Sequence, residues 1–236
     1  MGQQGLQDVL KDLEEPAPEK VIKVEVDRTL ERLMPKVLRL YEKFLSEYEF
    51  DWPLELDSDD KKEIWRYCNK IKFTPTPNVI LEFTLQLADY QEQDGFEWVT
   101  GQYLSALVWQ SHIRSHNNFN FEFRHLDKTV DYLLSYVGID KRPLKVSILG
   151  NVGHFCGMNA KNLRLVLRGN ADGQLAYNIF NSKIKVFGET DAGAGWCAEN
   201  SVFKCADRES AERISKVVRQ DSKVYWLKNG KKVLLK

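Results

Sequence analysis

The chain lacks most of the features that would commit it to a membrane, a redox site or a polyanion. No apolar run approaches the ~20 residues that a membrane span needs. Its four cysteines, Cys68, Cys156, Cys197 and Cys205, follow no CxxC spacing, so free thiols of a cytoplasmic protein are the plain reading. Neither sign of charge is in excess, with 34 Lys and Arg against 34 Asp and Glu. A nucleic-acid binder usually carries a basic surplus, so composition argues against a nucleic-acid partner. The opening MGQQGLQDVLKDLEE has no signal-peptide profile. Leu6 stands where a myristoylation signal needs Ser or Thr. No cofactor motif is evident. The chain does have 236 residues, 43% of them hydrophobic, enough for one large domain or two small ones.

It also has a repeat. Gly150, Gly169 and Gly188 are spaced 19 residues apart. They open the segments GNVGHFCG, GNADGQLA and GETDAGAG, each closed by a small residue: Gly157, Ala176 and Gly195. Ahead of each glycine the columns align. Val146, Leu165, Ile184 and Phe203 form one, and Ile148, Leu167, Val186 and Cys205 the next. Leu144 and Leu163 give way to Ser182 and Ser201, and Asn162, Asn181 and Asn200 form a column of identical amides. Alternation over five or six positions is the strand signal. Each following glycine is expected to permit a turn with positive φ. Stacked strands would place the apolar columns in a continuous interior and the asparagines in a hydrogen-bonded ladder.

The run Gly150-Asn151-Val152-Gly153 through Gly157, with a second Gly-Asn at Gly169, resembles the glycine-repeat domain at the C-terminus of the glutamate synthase large subunit. It equally resembles the glycine-repeat polypeptide of formylmethanofuran dehydrogenase. The resemblance covers roughly residues 144–206, about a quarter of the chain. It implies a structural spacer whose chemistry lies in neighbouring domains or subunits. Asp172 and Asp191 depart from it, standing where the first unit has Gly153.

The expected fold is therefore α+β: a mainly helical domain over 1–140, then a short right-handed parallel β-helix over 141–206. About four 19-residue coils make up the β-helix, and 207–236 supply a helix-plus-hairpin cap. Asp207 is the expected N-cap of that helix, and Asn229-Gly230 the hairpin turn. In the first part, Leu30 through Tyr48 make a helical stripe that Pro35 kinks or splits. Asp57 to Asp60 would cap a helix running to about Lys70. Over 77–91 helix and strand periods compete. Thr76 as N-cap, Pro77 at N1 and Gly95 beyond the end favour helix. Residues 97–115 and 127–137 read as further helices, the second stopped by Gly138. This block is expected to pack on the first coil.

No residue set amounts to a recognisable active site. His112 and His116 stand i, i+4, with His125 nearby, which makes them metal-ligand candidates. The segment HIRSH lacks the glutamate of HExxH, however. Gly193 to Ala198 fits GxGxxA, but that fingerprint needs a helix after it and the repeat predicts a strand. The mixed segment Trp109 to Arg124 is read as a helix end followed by a core-packing segment, with Phe119, Phe121 and Phe123 alternating, rather than as a base-stacking surface. Three functions are compatible with these features. One is a non-catalytic scaffold working with a protein partner or as an oligomer. Another is an accessory subunit of an oxidoreductase or amidotransferase system. The third is a metal- or small-molecule-binding enzyme, with its site in the helical domain or where that domain meets the first coil.

Overall fold

The computed structural model describes residues 28–47, 66–139 and 142–236. The expected cap at Asp57 to Asp60 and the last residue of the first stripe, Tyr48, lie outside them. The fold is mixed α+β. Helix α1 spans Arg28–Ser46 with Pro35 inside one helix. Residues 66–70 are helical. Helix α2 (Pro77–Leu85) is followed by a 3-10 turn at Leu87–Tyr90, and α3 spans Phe96–His112. Seven strands then form one sheet in sequence order: β1 (Asn118–Glu122), β2 (Leu144–Leu149), β3 (Leu163–Arg168), β4 (Lys183–Val186), β5 (Val202–Cys205), β6 (Lys223–Lys228) and β7 (Lys231–Leu234). Helix α4 (Arg208–Val217) lies between β5 and β6. All neighbours are parallel except β6 and β7, and the sheet is open at both edges.

Local signals set the helix ends. Thr76 accepts the Val79 N–H at 3.3 Å, with Pro77 at the first helical position. Val79, Ile80, Phe83 and Thr84 are buried while Leu85 is exposed, so the helical period wins over the alternating one. Asp207 accepts the Ser210 N–H at 2.6 Å and starts α4. Asn229 and Gly230 both have positive φ, as a type I′ hairpin turn requires.

The register is the one the apolar columns predict. Val146, Leu165, Ile184 and Phe203 are directly paired, as are Ile148, Leu167, Val186 and Cys205. Phe119 and Phe121 extend these columns into β1, and Val224 and Trp226 into β6. The array is thus longer than expected. β1 and the turn after it belong to the sheet rather than to the helical part, and the first strand of the terminal hairpin is a further parallel rung. The 19-residue offset holds from β2 to β5.

Residues 127–137 are not a helix. Tyr132, Leu134 and Tyr136 have φ of 56°, 60° and 57°, which an α-helix cannot hold. The same alternation recurs at Phe155, Gly157 and Asn159, at Gln174, Ala176 and Asn178, and at Gly193, Gly195 and Cys197. These turns hydrogen-bond one to the next: Tyr132 N–H to His154 O (2.8 Å), Gly157 N–H to Leu133 O (2.7 Å), Asn178 N–H to Trp196 O (2.7 Å). The apolar spacing of Val130, Leu133, Leu134 and Val137 imitates a helix stripe, but their burial serves the turn ladder.

The strand-end glycines also act differently from expectation. Of Gly150, Gly169 and Gly188, only Gly150 has positive φ, at 109°. Gly169 is required for space, because a Cβ there would stand 2.0 Å from the Gly150 carbonyl oxygen. At Gly188 it would stand 2.4 Å from that of Gly169.

The helices close the first end of the sheet. α2 packs on β1, and Thr84 Oγ1 accepts the Glu122 N–H at 3.3 Å. Gln91 Oε1 accepts the N–H groups of Asp127 (2.6 Å) and Lys128 (3.0 Å). Covering β1 with a helix in this way blunts an edge that would otherwise invite another strand.

Candidate functional site

Where α3 meets the turn at 131–133, at the junction of helices and sheet, backbone packs directly on backbone. A Cβ on Gly101 of α3 would lie 1.6 Å from the Asp131 carbonyl oxygen. Asp131 N–H donates to Glu97 O at 3.0 Å, and Ser105 Oγ donates to Tyr132 O at 3.1 Å.

His112 is buried at the end of α3, with Nδ1–H donating to the His116 carbonyl at 3.0 Å. Nδ1 of His116 meets Ser111 Oγ at 3.1 Å, and Arg142 donates to the His112 carbonyl at 2.8 Å. Burial holds the His112 imidazole below its ordinary pKa, against the His116 carbonyl and with the Arg142 charge. The Asn117 side chain also lies against the His112 imidazole. His125 is exposed beyond the end of β1. The helix ends at His112 and His116 follows it in a turn, so the two do not share a helix face; each bonds within this segment, and among the described residues no three His, Cys, Asp or Glu side chains group to hold a metal.

The cysteines are free. Burial pushes the thiols of Cys68, Cys156 and Cys205 up to about 12, so they stay protonated at neutral pH and are poor nucleophiles. The segment Gly193 to Ala198 is a turn leading to β5, without the helix that a dinucleotide motif needs.

The polar columns form ladders. Asn181 Nδ2 donates to Asn162 Oδ1, and Asn200 Nδ2 to Asn181 Oδ1 at 3.3 Å. Asn162 ends the run on Ile139 O at 2.9 Å. A buried serine column runs beside it. Ser182, Ser201 and Ser222 each accept the N–H one rung back, from Leu163 (3.0 Å), Ser182 (3.1 Å) and Ser201 (3.1 Å). Gly153 packs under the Asp131 carboxylate, where a Cβ would stand 1.9 Å from Oδ1. Burial raises the pKa of that carboxyl group. Gly157 has room for a Cβ, at 3.5 Å from its nearest neighbour, and Ala176 occupies the equivalent place. Gly195 is enclosed by Ile214, Val218 and Phe203, 3.0 to 3.2 Å from a Cβ. An open cleft of about 390 Å³ lies along the turns, lined by Tyr136, Asn159, Lys161, Asn178 and Phe180.

The strongest chemical asymmetry is on the outer face of the sheet. Outward positions alternate with the buried columns, so they too align. One row reads Lys145, Arg164, Lys183, Val202, Lys223. The next reads Ser147, Val166, Lys185, Lys204, Tyr225. Arg168 stands beyond them with Phe187, which is 43% exposed. Lys185 Nζ lies 4.4 Å from the Phe187 ring centroid and Arg168 Cζ 5.7 Å. No carboxylate occupies an outward position of β2 to β6, and Glu122 on β1 is held by Arg124 at 2.6 Å. Among the described residues these basic side chains make no ion pair with a carboxylate. Burial, followed by the charges of Lys232, Lys185 and Lys183, lowers the pKa of Lys204. The 19-residue alignment carries this signal in its alternate positions, but the balanced total charge conceals it.

No described helix is long and apolar enough to cross a membrane. No family model matches the chain, and neither a curated protein nor a solved structure matches it.

Proposed function

We propose that the protein is a non-catalytic cytoplasmic scaffold in which a helical domain is fused to a short right-handed parallel β-helix, and that it works in a complex or oligomer. The observation that carries this reading is that strand pairing is not the only ladder. Two more columns of parallel bridges run beside the sheet, through Val152, Ala171 and Thr190 and through Lys161, Phe180 and Glu199. Winding the chain through three stacked columns at a 19-residue pitch gives about four regular coils, with an irregular coil added before them. Buried thiols with raised pKa and a histidine pair engaged with its own turn favour scaffold over enzyme. The glycine-repeat modules that the sequence resembles have the same spacer character. That likeness supports a narrower version, an accessory subunit of an oxidoreductase or amidotransferase system. Native mass spectrometry of the protein purified from its own cell tests the reading. A stoichiometric complex or defined oligomer is expected. A bare monomer that retains no partner overturns it, and co-purification with a flavin, iron–sulfur or pterin enzyme selects the narrower version.

A further inference from the structure

We propose that the outer face of the parallel sheet binds single-stranded nucleic acid, with phosphates along the two basic rows and a base against Phe187. This names the partner class of the scaffold and rests on that reading. The chain as a whole is electrically balanced, yet this face carries cations of one sign at successive rungs. From Lys145 on β2 to Lys223 on β6 the first row crosses four strand spacings, about 19 Å at the usual strand separation. The second row, with Lys185 and Lys204, lies two residues along each strand, roughly 7 Å away. The rows are parallel, held by a rigid hydrogen-bonded sheet, and have no carboxylate partner on this face. Lysines in that state repel one another, and a polyanion lying across the strands relieves the repulsion while releasing its own counterions.

Charge alone would suit any polyanion, and Phe187 separates the candidates. It is the large apolar side chain left exposed on the outer face of β2 to β5, and it sits at the end of the rows between Arg168 and Lys185. An aromatic ring beside a cationic track is the combination that holds unpaired bases. A bilayer surface draws on a cluster of inserted apolar side chains; Phe187 is bracketed by cations, and the exposed Leu234 on the same side lies apart from it on β7, opposite Tyr225. A second copy of this face is excluded by like charge. An acidic peptide would use the cations and leave the ring idle.

The test is fluorescence anisotropy with a labelled mixed-sequence RNA of about ten nucleotides, the span of a typical single-strand site. If about four phosphates are neutralised, affinity should fall about fifty-fold between about 50 and about 200 mM salt. The triple variant Lys145→Glu, Lys183→Glu, Lys185→Glu should bind at least about ten-fold more weakly, with an unchanged circular dichroism spectrum. The control Lys36→Glu, Arg39→Glu, on the exposed side of α1, should stay within about two-fold. Phe187→Ala should lose about ten-fold for RNA, from the stacking contribution, and nothing for dextran sulfate. Absence of binding at low salt, or binding that the triple variant leaves intact, overturns the proposal. So does equal loss from the α1 control, or an identical response of RNA and dextran sulfate to Phe187→Ala. Binding to phosphatidylserine vesicles without binding to RNA overturns it in favour of a membrane. Failure here would leave the expected native mass spectrometry result, a complex or oligomer, untouched, so it is distinguishable from failure of the scaffold reading.

Discussion

The helical block and the stacked repeats are held together in different ways. In the block, each anchor is made once. Tyr41 packs edge-on to Phe83 with centroids 5.0 Å apart, and its hydroxyl meets Thr100 Oγ1 at 2.5 Å. Tyr103 donates to the Val37 carbonyl at 2.9 Å. In the repeats one contact is made again at the next rung, by the aliphatic columns, the asparagine ladder and the serine ladder. A side chain in mid-ladder has a partner on each side, so its loss is felt by two rungs. The cost of a substitution should therefore follow place in the ladder more closely than residue type.

Glycines give the sharpest way to break that comparison. Gly169→Ala drives a Cβ into the backbone of the rung before it and should cost about 3 kcal/mol or more. Gly157→Ala makes only ordinary contacts, 3.5 Å at the nearest, and Ala176 already adopts the same backbone, so about 1 kcal/mol is expected for its left-handed φ. Urea unfolding midpoints measure both, and equal losses would show that conformational freedom rather than stacking distance governs these sites. Ser201→Ala comes next. It strips the buried Ser182 N–H of its acceptor and should cost about 2 kcal/mol. Tyr103→Phe in the helical block removes one terminal hydroxyl and should cost about 1 kcal/mol. If the order of those two is reversed, the ladder offers no advantage over single anchors.

The smallest effect expected is a pH dependence. The folded-state pKa of His112 lies below its unfolded value, so the unfolded chain binds the extra proton. The stability contributed by the neutral ring is full above about pH 6.5 and declines as pH falls from there toward the folded value. Thermal melts across that window should show the decline, and His112→Gln should flatten it. An unchanged slope in the variant would assign the dependence elsewhere.

Much of the fold was legible because it is local or periodic. Thr76, Pro77 and Asp207 cap helices through their own neighbours, and Asn229-Gly230 turns a hairpin by its own backbone. The apolar columns from Val146 and Ile148 predict the register to the residue. Residues 127–137 were not legible, because Tyr132, Leu134 and Tyr136 adopt their turn only with a second turn beneath them to bond. β1 and β6 escaped the alignment because their offsets from the neighbouring strands are 27 and 21 residues, not 19. Of the candidate site residues, the glycines and asparagines were found by period, though Gly169 and Gly188 serve clearance rather than positive φ. The i, i+4 spacing makes His112 and His116 metal-ligand candidates, and the fold gives them a carbonyl and a hydroxyl as partners, which no spacing foretells.

By itself, then, the sequence determined which residues face inward, since a strand alternates sides and the 19-residue period repeats that alternation. Only the tertiary structure decided how many rungs there are, how the helices seal the first of them, and that the outward positions gather cations on one face. Net charge is a sum over the chain, and a sum carries no direction. Stacking the strands gives each charge a side.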